Sequence, residues 1–196
     1  MRNYLLAAAL LAFGAPAANA TTIDFNALRG GNGKTFTSYT ENGFTVSATS
    51  GNWQVAKFGN PKPAIQIVFG RAGTPGAVTV THSATPFTFS SLDLANAFGL
   101  NEDTAVSYSI TGFLGTIQEF TQSGILSRTG FVTVEALQPS TVIDSLVITE
   151  APGRKSSSAN IDNIVVQPAA LVPEPVSIAM LGAGLMGVGF VRRKRA

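Results

Sequence analysis

Hydrophobic positions between Thr22 and Val166 fall mostly at every second residue, the period of a half-buried strand. Thr22–Asn26 alternates, and Phe44, Val46 and Ala48 do the same after the turn pair Asn42-Gly43. Apolar runs over residues 53–58, 64–69 and 77–81 come next, separated by clusters of Gly, Pro and Asn. Phe87 and Phe89 alternate on odd numbers, then Leu92 and Leu94 on even ones. That change of parity predicts a β-bulge near Ser90-Ser91. Val106, Tyr108 and Ile110 form another stripe, and residues 113–120, 129–135 and 142–149 read as strands. Ile161, Ile164 and Val166 close the pattern, with Ile161 out of phase. No helical period of useful length occurs, beyond a short turn within residues 92–100. About ten strands joined by short turns predict an all-β fold, a single antiparallel β-sandwich of the jelly-roll type over residues 21–168.

The two ends break this pattern. Residues 1–20 read MRNYLLAAALLAFGAPAANA: a positive n-region at Arg2, a short apolar run, and the small residues Ala18-Asn19-Ala20. That order predicts a secretory signal peptide cleaved after Ala20. After a linker at 169–171, the tail runs Val172-Pro173-Glu174-Pro175, then the apolar stretch from Val176 to Val191, then Arg192, Arg193, Lys194 and Arg195. A helix over the apolar stretch spans about 24 Å, slightly short of a hydrocarbon core of about 30 Å. Flanking arginines that snorkel make up the difference. The expectation is one C-terminal transmembrane helix with its basic stop in the cytoplasm and the sandwich outside.

A Pro-Glu-Pro tripeptide, one apolar helix and a terminal basic cluster together resemble the PEP-CTERM protein-sorting signal. In that resemblance Val172, Pro173, Glu174 and Pro175 are the recognition motif, and Arg192, Arg193, Lys194 and Arg195 are the membrane stop. It implies a Gram-negative bacterium, an exosortase-type membrane protease that removes the tail, and a link to exopolysaccharide or biofilm matrix. The protein is then anchored in the inner membrane until processing and afterwards belongs to the cell envelope or the extracellular space. The residues alone support the simpler statement of an exported, C-terminally anchored chain. The prolines of the motif deny it a helix and hold it extended, as a protease cleft requires. The segments Ile23–Asn26, Gly43–Ala48 and Ser158–Val166 also resemble galactose-binding-like jelly-roll domains.

Gly182-Ala183-Gly184-Leu185-Met186-Gly187 spells the dinucleotide-binding fingerprint, but it lies inside the apolar tail with no room for a following strand. Ala179, Ala183 and Gly187 recur every fourth residue instead, a small-residue face for helix packing.

Charge and composition remove several function classes. The chain carries 13 Lys and Arg against 11 Asp and Glu. The excess is terminal: Arg2 and the C-terminal cluster account for it, and residues 21–171 are slightly acidic. A nucleic-acid binder needs a basic face, so nucleic acid is not an expected partner. There is no cysteine, and His82 is the only histidine, which excludes thiolate and multi-histidine metal sites. His82 reads as a solvated turn residue, no nucleophile elbow occurs, and no enzymatic activity is expected.

Binding is the stronger class. An aromatic face with neighbouring amides suits the C–H face and hydroxyls of a sugar. Trp53, between Asn52 and Gln54, is the candidate platform, with Tyr39 as a second aromatic; the other reading of Trp53 is a core or sandwich-edge aromatic. Asp24 and Asp162, in the first and last predicted strands, are the candidate ligands of a structural calcium; no other cofactor is expected. Glu102-Asp103 is a second acidic pair, in a predicted loop. The expected function is an exported envelope or matrix protein whose sandwich associates with exopolysaccharide. The alternatives are a structural matrix protein without a specific ligand, or a polysaccharide-acting hydrolase with paired carboxylates.

Overall fold

The computed structural model describes residues 19–57, 63–69, 74–96, 105–126, 131–153 and 158–169. The signal peptide up to residue 18, the Glu102-Asp103 pair and the whole sorting tail lie outside the described residues. Among the described residues no helix is long and apolar enough to cross a membrane.

The chain forms an antiparallel sandwich of two sheets. Its strands are β1 (Thr21–Ile23), β2 (Ser38–Glu41), β3 (Phe44–Ser50), β4 (Trp53–Ala56), β5 (Ala64–Val68) and β6 (Gly76–His82). They continue with β7 (Phe87–Asn96), β8 (Val106–Leu114), β9 (Ile117–Leu126), β10 (Phe131–Glu135), β11 (Ser145–Pro152) and β12 (Ser158–Pro168). The first sheet has the order β10-β7-β12-β5-β4, with β1 also paired to β12; the second has the order β2-β3-β6-β11-β8-β9.

Alternation builds the core. In the second sheet Phe44, Val46, Val78, Val80, Leu146, Ile148, Val106 and Ile110 point inward and are buried. They meet Trp53, Ile65, Ile67, Phe89, Leu92, Leu94 and Ile161 of the first sheet in one continuous hydrophobic cluster. The β2–β3 hairpin turns on Asn42 and Gly43, both at positive φ (51° and 83°), as a two-residue turn with the twist of its strands requires.

Both irregularities of the hydrophobic pattern are bulges. In β7, Phe89 pairs with Val166 and Ser91 with Val165, so Ser90 is the extra residue. Core-facing parity switches there from Phe89 to Leu92. In β12, the register jumps between Asp162 and Val165, and Asn163 sits at φ 46°. This bulge puts Ile161 and Ile164 on the same face despite their odd spacing.

Two boundaries and one residue differ from the sequence expectation. Residues 113–120 are not one strand but the end of β8, a turn at Gly115 (φ 61°) and the start of β9. The expected strand over 142–149 lies at Ser145–Pro152. His82 is not a solvated turn residue: it ends β6 half-buried, with its ring 4.5 Å from that of Phe44. The backbone N–H of Thr85 donates to its Nδ1 at 3.1 Å.

Candidate functional site

The outward positions of the second sheet carry one kind of chemistry. Strand pairing aligns Ser38, Ser47, Thr79, Val147, Thr111 and Thr121 in a row across all six strands. A parallel row holds Thr40, Thr45, Thr81, Ser145 and Phe113. No charged side chain occupies an outward position on β2, β3, β6, β11 or β8. Neighbouring hydroxyls meet across strands, Thr40 to Thr45 and Thr111 to Thr121, each at 3.0 Å. Each hydroxyl holds a further donor or acceptor for an outside partner, and the threonine methyls add apolar patches between them.

The first sheet is polar on its outer side but closed. Gln54 Nε2 donates to Gln66 Oε1 at 2.6 Å, and Gln66 Nε2 donates to Asn160 Oδ1 at 2.8 Å. This amide row crosses β4, β5 and β12, and Gln66 and Asn160 are buried. Its groups largely satisfy one another, which suits a structural tie across the sheet.

Trp53 does not form a sugar platform. It is 1% exposed, inside the core, and its indole N–H donates to the carbonyl of Ser50 at 2.8 Å. A ring with no free face cannot stack on a ligand. Tyr39 is half-buried against Phe25, their ring centroids 5.4 Å apart. Asn52 is exposed, on the turn before β4, and Gln54 is half-buried in the amide row. The four residues therefore do not share one open surface.

The pairing of β1 with β12 does bring Asp24 close to Asp162, since Ile23 faces Ile164. Both oxygens of Asp24 are taken by Asn26, through its backbone N–H at 2.9 Å and its side-chain amide at 2.6 Å. Asp162 accepts the backbone N–H of Asn163 at 2.8 Å. Burial pushes the Asp162 carboxyl up to about 7 against that hydrogen bond, and nearby Asp93, Asp24 and Glu41 push the same way. Among the described residues no group of three or more His, Asp or Glu is arranged to hold a metal ion.

Sequence reasoning missed Glu150. It lies on β11 in phase with the core residues Leu146 and Ile148, between Gly76 of β6 and Tyr108 of β8. It is fully buried and neither carboxyl oxygen has a hydrogen-bond partner. Burial pushes its carboxyl up to about 8, so it is largely neutral at pH 7.

The tail completes the inventory of functional segments. Its ordered features, from Pro-Glu-Pro to the basic cluster, match a described motif over residues 171–195. The chain carries a PEP-CTERM protein-sorting motif. The PEP-CTERM motif marks an exported protein held at the membrane through its C-terminus before processing. No curated protein matches the chain in sequence. Among solved structures, the chain is similar to the family 32 carbohydrate-binding module of C. perfringens NanJ in complex with galactose. The identity is 18%, over 64% of this chain and 97% of that one, with a TM-score of 0.44. It is also similar to a family 29 carbohydrate-binding module from Piromyces equi, at 9% identity over 83% and 98% of the two chains, with a TM-score of 0.44.

Proposed function

We propose that the protein is a non-catalytic envelope or matrix module, exported, freed from the membrane by an exosortase-type protease, and associated with a neutral exopolysaccharide through the outer face of its second sheet. The observation that carries this reading is the face itself: rows made mostly of serine and threonine, one of them across all six strands, with no charged side chain outward on five of the strands. Polysaccharide hydroxyls both donate and accept hydrogen bonds, as do those of Ser and Thr. Each such bond contributes only about 1 kcal/mol net against water, so a broad array is needed. Contacts through hydroxyls also make the association insensitive to salt, unlike one built on ion pairs.

Affinity electrophoresis of the exported protein, through gels containing the neutral exopolysaccharide of the producing cells, tests this. The wild type is expected to be retarded equally at low and high salt. Thr79→Glu with Thr111→Glu, placed in the middle of the face, is expected to abolish retardation while circular dichroism stays unchanged. Asn52→Ala, on a turn of the first sheet, is expected to bind as wild type. No retardation of the wild type sinks the proposal, and loss in the Asn52 variant alone moves the ligand to the first sheet.

The sorting step has its own test. Intact-mass analysis of protein recovered from the medium is expected to lack Arg192–Arg195, and Glu174→Ala is expected to leave the chain in the membrane fraction. Released protein that still carries Arg195 overturns the processing step.

A further inference from the structure

The large hydrophobic residues exposed among the described residues are Leu114, Ile117, Ile125, Val132, Leu137 and Val142. All fall within the stretch that holds the β8–β9 turn, β9, β10 and the loop after it. β9 and β10 are edge strands of the two sheets. Gln122 fastens them together: its Nε2 donates to the carbonyl of Glu135 at 3.0 Å, and its Oε1 accepts the N–H of Leu137 at 2.9 Å. The exposed apolar side chains therefore all lie in the stretch that forms these two edges. At the far edge of the first sheet, Thr35 bridges to Gln54 and Phe36 donates its N–H to the carbonyl of Trp53, covering β4.

β9 pairs with β8 on one side and with no described strand on the other. Such an edge presents unpaired N–H and C=O groups, which another strand satisfies best. Proteins usually guard long edges with lysine, proline or a bulge. β9 contains neither lysine nor proline. Its one irregularity lies where Gly112 pairs with Phe120 and Phe113 with Gln118, so the run from Phe120 to Leu126 is regular and unguarded. Ile125, 69% exposed, sits in that run.

We propose that the exported protein self-associates by antiparallel pairing of β9 with β9 of a second copy, across a two-fold axis at Ser123. The run is complementary to itself in this register. Thr121 of one copy faces Ile125 of the other, Gln122 faces Gly124, and Ser123 faces Ser123. Glu119, the only charged residue of β9, falls outside the paired run, so no like charges meet. Antiparallel edge pairing is isologous and closes at two copies, and it joins the two second sheets into one continuous sheet. Ile125, 69% exposed in the single chain, then lies in the junction against Thr121 of the other copy.

The absence of cysteine gives a direct test on the exported protein. Single cysteines at Thr121, Ser123, Ile125 and, as a control on a central strand, Thr81 are oxidised mildly. Ser123→Cys is expected to give at least about tenfold more disulfide-linked dimer than Thr81→Cys, because only residues near the axis meet their own copies. Sedimentation of the wild type is expected to show a concentration-dependent dimer, and Ile125→Lys, which alters only an exposed side chain, is expected to weaken it about tenfold or more. A wild type that stays monomeric up to about 100 µM, or equal cross-linking at Ser123 and Thr81, overturns the proposal. These outcomes are independent of polysaccharide binding, which the Thr79 and Thr111 variants report.

Discussion

Lowering the pH from about 9 to about 5 is expected to stabilise the sandwich, the reverse of ordinary acid denaturation. The cause is Glu150. Its carboxyl has an ordinary value of 4.5 and is raised to about 8 by burial. Between those values the folded chain holds a proton that the unfolded chain has released. The favourable contribution is therefore complete below about pH 4.5 and is lost as the pH rises through about 8. Asp162 acts in the same direction over a narrower window, from 3.8 to about 7. The two differ in surroundings: Asp162 keeps the Asn163 N–H, whereas both oxygens of Glu150 lack any partner. Each pKa unit corresponds to about 1.4 kcal/mol, so the effect of Glu150 is on the order of a few kcal/mol. Melting followed by circular dichroism at about pH 5, 7 and 9 reads it directly. Glu150→Gln, which carries no titratable proton in a nearly identical shape, is expected to leave only the smaller Asp162 share of the slope and to melt above the wild type at pH 9. A wild type whose melting temperature is flat or falls on acidification contradicts this placement of Glu150.

Trp53→Ala is expected to be the most damaging single truncation, at about 3–5 kcal/mol. The indole is the largest fully buried side chain, set against Ile67 and the backbone of Gly76, where an added Cβ would lie 1.8 Å from Ile67 Cδ1 and 3.1 Å from Trp53 Nε1. Packing this close cannot collapse to fill the void, and the carbonyl of Ser50 loses its donor. Chemical denaturation measures the loss. The folded fraction of the variant should still be retarded by polysaccharide as the wild type is, because the hydroxyl rows lie on the other sheet. A variant of wild-type stability that no longer binds would return Trp53 to the ligand.

The strand pattern was legible because alternation is a local property. The parity switch at Ser90-Ser91 located one bulge, since a period of two leaves no other way to keep one face buried; the odd phase of Ile161 was visible too, but its cause, the second bulge, came from the pairing of β12 with β7. The hairpin at Gly115 was hidden: residues 113–120 contain a single glycine and no strong turn pair. Depth was less legible than periodicity. Trp53 opens a strand beside the polar Gly51, Asn52 and Gln54, so its face was open to either reading; alternation with the buried Val55 places it on the inner one. Glu150 followed the inward phase of Leu146 and Ile148, but a charged residue reads as a strand end, and the strand was ended one residue before it. The hydroxyl face was present in the sequence as alternation. What it lacked was register: that Ser38 and Thr121 share one row depends on five strand pairings, three of them between strands distant in the sequence.

The position of β12 sets the timing of folding during export. It is the last strand among the described residues, yet it lies in the interior of the first sheet, bonded to β7 along its length, to β5 at its start and to β1 at its end. As the chain crosses the membrane from its N-terminus, the earlier strands of this sheet emerge with an empty slot between β7 and β5. The domain closes only when Ser158–Pro168 has crossed, by pairing residues as distant as Thr21 and Val166. Such long-range pairing is slow, so in an exported chain the first sheet is completed late, after the segment just before the sorting motif has emerged.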